Sequence, residues 1–179
     1  MDDLSLHILD VAENCINAEA KNIEILVDEN ITDNKLIIEI NDDGKGMNKD
    51  MTEAVKNPFV TTRTERKVGL GIPLLTEAAE MSGGNIRIDS EPGYGTQIKA
   101  VFQHNNIDRK PLGDLAETLI ALILLSENTE INFKYKMNQR EFDFSTKKFK
   151  EDLNLEKLND INLLNHLKVI IKQKISQIQ

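Results

Sequence analysis

Apolar side chains recur at helical spacing over residues 4–18. At about 100° per residue, Ile8, Leu9, Val11, Ala12, Cys15, Ile16 and Ala18 share one broad arc. His7, Asp10, Glu13, Asn14 and Asn17 fall on the remaining arc, with Asp10 and Asn14 one turn apart. The pattern predicts a half-buried helix. Two apolar-rich runs follow, 23–27 and 35–40, separated by Asp28-Glu29-Asn30 and Thr32-Asp33-Asn34. They predict an antiparallel strand pair with a polar hairpin loop. Asn48 can cap a short helix reaching about residue 56, and Asn57-Pro58 breaks it. Residues 59–68 lack periodicity. Gly69-Leu70-Gly71-Ile72-Pro73 leads into a helix that runs to Met81 and ends at Gly83-Gly84. Ile86 and Ile88 alternate with polar residues as a strand, Glu91 to Gly95 form a turn, and 97–102 return as a second strand.

The character changes after His104. Pro111 and Gly113 mark a linker over 108–113, and 115–125 reads as a helix. Residues 130–136 and 141–144 predict a short hairpin turning at 137–139. From Thr146 the chain reads as mostly helical, with Leu153, Leu155, Leu158, Ile161, Leu164, Leu167, Ile170, Ile171 and Ile175 as its apolar stripe. A buried face is the first reading of that stripe and a partner surface the second. No internal repeat occurs, and the tail carries no chemistry-bearing constellation.

Composition narrows the function. Apolar residues make up 40% and charged residues 29% of 179 positions, ordinary for a soluble globular chain. The formal net charge of −8 disfavours nucleic acid, which needs a basic field. A single cysteine, Cys15, excludes an internal disulfide and argues against an all-protein zinc site, and His7, His104 and His166 are not paired at ligand spacing. The acidic start, Met1-Asp2-Asp3, has no signal-peptide pattern, and the longest apolar run, 119–125, is too short to cross a bilayer. The expectation is a cytoplasmic protein without a membrane partner, its oligomeric state open.

Candidate chemistry concentrates between Asn41 and Gly71. Gly44 and Gly46 permit backbone conformations other residues resist and let a ligand approach closely. Asp-Gly-x-Gly also occurs in ordinary turns. In the functional reading, the Asp43 carboxylate accepts a hydrogen bond from an exocyclic amine, which separates adenine from guanine. The glycines at 69 and 71 leave amides and the positive helix end free for an anion. Arg63, Arg66 and Lys67 make either a solvated basic loop or a lid over phosphates. The polar stripe of the first helix holds short oxygen-bearing groups and no lysine, so it is either a solvated face or a site for a hard cation such as Mg²⁺.

Taken in order, these pieces resemble the ATP-binding domain shared by gyrase, the large heat-shock chaperone ATPases, sensor histidine kinases and the MutL mismatch-repair ATPase. The resemblance covers about residues 4–103. The asparagine box resembles 10–18, and the first glycine box resembles Asp43-Gly44-Lys45-Gly46-Met47. The phenylalanine box and lid of histidine kinases resemble Pro58-Phe59 with Thr61-Thr62-Arg63. The second glycine box resembles Gly69-Leu70-Gly71, and the closing glycine-threonine turn resembles 91–96. The resemblance implies an α+β fold: a two-layer α/β sandwich with a mixed, mainly antiparallel sheet of the Bergerat type over residues 1–104. A small α+β C-terminal domain of unknown role would occupy 105–179.

The resemblance also implies residue roles. Asn14 would hold Mg²⁺ bridging the phosphates of ATP, and Asp43 would bind the adenine amine with Ala18, Gly44, Gly46, Met47 and Thr96 around the base. Gly69, Leu70 and Gly71 would present amides to phosphate, helped by Thr62, Arg63 and Lys67. Hydrolysing members place a glutamate four residues before the asparagine; this chain has Asp10 there, one methylene shorter. The usual phosphoacceptor histidine segment does not precede the asparagine box, so phosphoryl transfer would go to a protein partner. The expected function is a stand-alone kinase-like protein, with a nucleotide-gated binding module or a slow ATPase as alternatives.

Overall fold

A computed structural model describes residues 3–55, 71–126 and 128–179. Helix α1 (Leu4–Asn17) starts at Asp3, whose side chain accepts the Leu6 N–H. It buries Leu4, Ile8, Val11, Ala12 and Cys15, the arc the periodicity assigns to the core. Strands β1 (Asn22–Asn30) and β2 (Lys35–Asp42) pair antiparallel, as the alternation predicts. The Asn48 side chain caps α2 (Lys49–Ala54) by accepting the Met51 N–H at 2.9 Å. Helix α3 (Gly71–Met81) leads to the hairpin of β3 (Asn85–Glu91) and β4 (Gly95–Gln103).

Residues beyond 104 continue this framework. Helix α4 (Leu115–Leu125), capped by Asp114, packs on α1 and delivers the chain to β5 (Glu130–Met137). Strand β5 runs parallel to β1, pairing Ile23 with Ile131 and Val27 with Tyr135. Strand β6 (Arg140–Ser145) then turns back antiparallel, and α5 (Thr146–Leu153) and α6 (Ile161–Ile178) complete the chain. The result is one six-stranded sheet in the order β3-β4-β2-β1-β5-β6, antiparallel except at β1–β5. The fold is α+β with a mixed, mainly antiparallel sheet.

The even positions of β2, Leu36, Ile38 and Ile40, and of β4, Ile98, Ala100 and Phe102, are all buried. They form one core with Ile23, Ile25 and Val27 of β1, Ile131 and Phe133 of β5, and the inner faces of α1, α3, α4 and α6. In α6, Leu164, Leu167, Ile171 and Ile175 are buried while Ile161 and Ile170 are exposed, so only part of the apolar stripe faces the core.

His7 departs from the helical pattern, which puts it on the polar arc. It is 0% exposed, and neither ring nitrogen finds a partner among the described residues. The covering comes from far along the chain. The Leu4 and Ser5 amides donate to the Pro111 and Leu112 carbonyls at 2.9 and 2.8 Å, laying the linker against the first turn of α1. Burial, with the Lys110 charge adding to it, lowers the His7 pKa to about 4.

Candidate functional site

The end of the sheet where β2 leaves the core sets out a row of polar groups. Alternation along β2 carries Asp42 to the same face as Leu36, Ile38 and Ile40. Thr96 of β4 is its register partner, and Ser90 of β3 is the register partner of Thr96. Asp42, Thr96 and Ser90 therefore stand side by side across three strands, where the apolar rows of the core end.

Two glycines lock the loop after β2 against the β3–β4 turn. Gly46 has φ +64°, and a Cβ there would lie 2.0 Å from the Glu91 carbonyl oxygen. Gly95 has φ +99°, and its Cβ would lie 1.9 Å from the Asp42 carbonyl oxygen. No other residue type fits either position. The Gly93 N–H donates to the Lys45 carbonyl at 2.7 Å, and the Met47 N–H donates to Ser90 Oγ at 2.8 Å. On the other side, the Lys45 N–H donates to the Ala18 carbonyl at 2.9 Å, and a Cβ on Gly44 would lie 2.8 Å from that oxygen. Ala18, at the end of α1, thus forms one wall of the loop.

The adjacent aspartates do different things. Asp43 Oδ1 accepts the Lys21 and Asn22 backbone N–H groups at 2.7 and 2.8 Å, and Oδ2 accepts Asn22 Nδ2 at 2.7 Å. Burial opposes its ionisation, but these hydrogen bonds outweigh it and hold the carboxyl below the usual range. Asp42 Oδ1 accepts the Gly44 N–H at 2.8 Å, and the group lies beside Cys15 of α1. Burial pushes the Cys15 thiol up, and the Asp42 carboxylate pushes it further.

Asp10 and Asn14 are half-buried on α1, and neither side chain is hydrogen-bonded among the described residues. Gly71, the first residue of α3, comes so close to α1 that a Cβ on it would lie 2.8 Å from Asp10 Cβ. The structure therefore brings together Asp10, Gly71 and, around the loop, Ala18, Gly44, Gly46, Met47 and Thr96. Thr62, Arg63, Lys67, Gly69 and Leu70, with the lid expectation for 59–68, lie outside the described residues. An open cleft of about 660 Å³ flanks the row, lined by Asp42, Ser90 and Thr96 and by Lys49, Thr52 and Glu53 of α2. Asp10, Asn14 and Ala18 do not border it, so it lies beside the cradle rather than within it.

Among the described residues no three His, Cys, Asp or Glu side chains gather as a metal site. Among the described residues, the Asn14 side-chain oxygen is a donor of the kind that suits Mg²⁺, and phosphate and water would have to complete its shell. Asp42, Ser90 and Cys15 are the residues the motif reading did not select. Continuing the alternation of Leu36, Ile38 and Ile40 by one step finds Asp42, and the same step from Ile98 finds Thr96.

This fold and this cradle define a nucleotide-binding α+β domain. A family model of histidine kinase-, DNA gyrase B- and HSP90-like ATPases matches residues 2–106, and the chain belongs to that family. Sporulation kinase D of Bacillus subtilis (strain 168) is 32% identical over 97 residues, covering 54% of this chain and 19% of that protein. The sensor histidine kinase ZraS of Escherichia coli (strain K12) is 29% identical over 112 residues, covering 63% of this chain and 24% of that protein. The chain thus spans about a fifth of the length of these relatives. A solved structure described as the N-terminal domain of a DNA repair protein superposes with a TM-score of 0.56 at 14% identity. It covers 82% of this chain and 53% of that one, and at that identity the likeness concerns the fold alone. The chain carries a histidine kinase-like ATPase domain, a class that binds ATP. No described helix is long and apolar enough to cross a membrane.

Proposed function

We propose that the chain binds ATP with Mg²⁺ in the cradle between α1 and the Asp42–Thr96–Ser90 row, and passes the γ-phosphoryl group to a protein partner. The observation that carries this reading is the Asp10–Asn14 pair, unbonded among the described residues, with Asp10 packed directly against Gly71 at the start of α3. Those groups are the ones a phosphoryl-transfer site needs, and no bond among the described residues uses either of them. Asn14 is the oxygen donor for the cation, which when bound would offset charge on the transferring phosphoryl group. Asp10, one turn earlier, orients the attacking group. Gly71, at the start of α3, lets that helix close directly on α1 at Asp10.

The amine-reading role falls to Asp42 in this proposal. Asp43 has both oxygens occupied by Lys21 and Asn22, whereas Asp42 lies on the core face beside Thr96. Calorimetry with ATP, with and without Mg²⁺, tests the site: binding should depend on Mg²⁺, vanish in Asp42→Asn and weaken in Asn14→Ala. Labelled ATP incubated with candidate protein acceptors tests the transfer, and ATP bound without any phosphoprotein would reject that part.

A second reading, a nucleotide-gated binding module, is favoured by one chain of hydrogen bonds. Asp43 holds Lys21, the Lys21 carbonyl accepts the Glu130 N–H at 2.8 Å, and Thr129 Oγ1 donates to the Ala20 carbonyl at 2.7 Å. The loop under the cradle is thereby tied to the start of β5. If ATP gates a partner surface through this route, it should change hydrogen-exchange protection over 129–137, and unchanged protection there would reject the switch.

A further inference from the structure

Ser90 Oγ meets three groups, and its single hydrogen constrains the direction of each bond. Its oxygen has one hydrogen to give and two lone pairs. One lone pair takes the Met47 N–H at 2.8 Å. The Gly95 carbonyl, 3.0 Å away, can only accept, so the Ser90 hydrogen goes there. Thr96 Oγ1, at 2.8 Å, is the third group, and the position left on Ser90 is a lone pair. Either oxygen of this pair has the geometry to donate, and with the Ser90 hydrogen on Gly95 the donor is Thr96. No other described group bonds the Thr96 hydroxyl, and its lone pairs are directed to whatever lies in front of the row.

We propose that Ser90 is a positioning residue that fixes Thr96 as an acceptor only, and that this makes the pocket selective for a purine carrying an amine, not a carbonyl, at its six-position. A carboxylate, such as Asp42 offers beside it, also only accepts. Two neighbouring acceptors suit an exocyclic amine, which has two hydrogens to give. The carbonyl of hypoxanthine or guanine would face both acceptors with no hydrogen between them, leaving buried polar groups unpaired. A threonine free to rotate would relieve that clash by turning its own hydrogen toward the carbonyl. Ser90 removes the option.

ATP and ITP, which differ at this position, are the probes, and calorimetry on the full chain in saturating Mg²⁺ is the measurement. Wild type should prefer ATP by about a hundredfold or more. Ser90→Ala should narrow that ratio about tenfold by improving ITP binding relative to ATP. Ser90→Thr, which keeps the hydroxyl, should restore it. Thr96→Val removes the acceptor without touching the Met47 and Gly95 contacts, and should narrow the ratio even if Ser90→Ala fails to fold. A merely structural Ser90 would weaken both triphosphates equally and leave the ratio unmoved, which overturns the proposal. The inference rests on the nucleotide reading above. Folded wild type that binds neither triphosphate overturns both, whereas an ATP-selective wild type whose ratio survives Ser90→Ala and Thr96→Val overturns the role of Ser90 alone.

Discussion

Asn22 closes on Asp43 twice: its backbone N–H donates to Oδ1 at 2.8 Å and its side-chain Nδ2 to Oδ2 at 2.7 Å. With the Lys21 N–H also on Oδ1, the carboxylate staples the end of the glycine loop to the start of β1. It is a clamp on the cradle from outside.

The clamp separates two adjacent aspartates experimentally. Asp43→Ala should cost about 1–2 kcal/mol in urea unfolding, at the low end because the group is exposed, and leave ATP affinity within about threefold. Asp42→Asn should do the reverse, keeping stability and losing ATP. The pH dependence follows from the sign of the shift. The folded-state pKa of Asp43 is depressed, so its stabilisation is present above its unfolded value and is lost as pH falls through the folded one. Asp43→Ala should therefore flatten part of the acid limb of the unfolding curve.

Much of the fold is legible in the residues, and the illegible parts share a cause. Helix α1, the β1–β2 hairpin and α4 follow from local periodicity and capping, which need only neighbouring residues. The parallel pairing of β5 with β1 joins residues about a hundred positions apart and leaves no local pattern, so the tail reads as a separate piece although its strands extend the same sheet. His7 is hidden for a similar reason, because the linker at 111–112, bound to its turn of α1, comes from about a hundred positions away. At the site, the glycine motif draws attention to Asp43, while the face each aspartate occupies is set by strand alternation. Ser90 has no signal beyond its place in the strand, since its importance lies in the three partners that the β3–β4 hairpin brings to it.

The interlocked glycines predict unequal penalties within one turn. Gly46→Ala and Gly95→Ala would each put a Cβ about 2 Å from a carbonyl oxygen at positive φ, so the loop and the β3–β4 turn must separate. Each should destabilise by roughly 3 kcal/mol or more and abolish ATP binding. Gly93→Ala, at φ +83° with nothing within 4 Å, should cost only about 1 kcal/mol of backbone strain and spare binding. Thermal unfolding of the three variants, with calorimetry on those that fold, checks the ranking.

At the opposite end of the sheet, Glu29 of β1 is buried and joins His104, one residue past the end of β4, to Tyr135 of β5. Its Oε1 accepts from Tyr135 Oη at 2.7 Å, and its Oε2 meets His104 Nε2 at 2.9 Å. Burial pushes the Tyr135 hydroxyl up, and the Glu29 contact adds to it. Removing one partner leaves a buried carboxylate short of a donor, so Tyr135→Phe should cost about 1–3 kcal/mol. Glu29→Gln with Tyr135→Phe should cost less than the sum of the single changes, and a double-mutant cycle in urea measures the difference.

The buried His7 predicts a pH dependence with a definite sign. Its folded-state pKa, about 4, lies below the ordinary value of 6.5, so the unfolded chain takes up the proton first on acidification. Stability from this group is full above about pH 6.5, falls as pH drops toward 4, and levels below that. The loss across the window is at most about 3 kcal/mol. His7→Leu removes two buried ring nitrogens that have no partner among the described residues, and should raise stability at pH 5 more than at pH 7. Unfolding midpoints for both proteins between pH 4 and 7 provide the check, and parallel curves would mean that His7 does not titrate with folding.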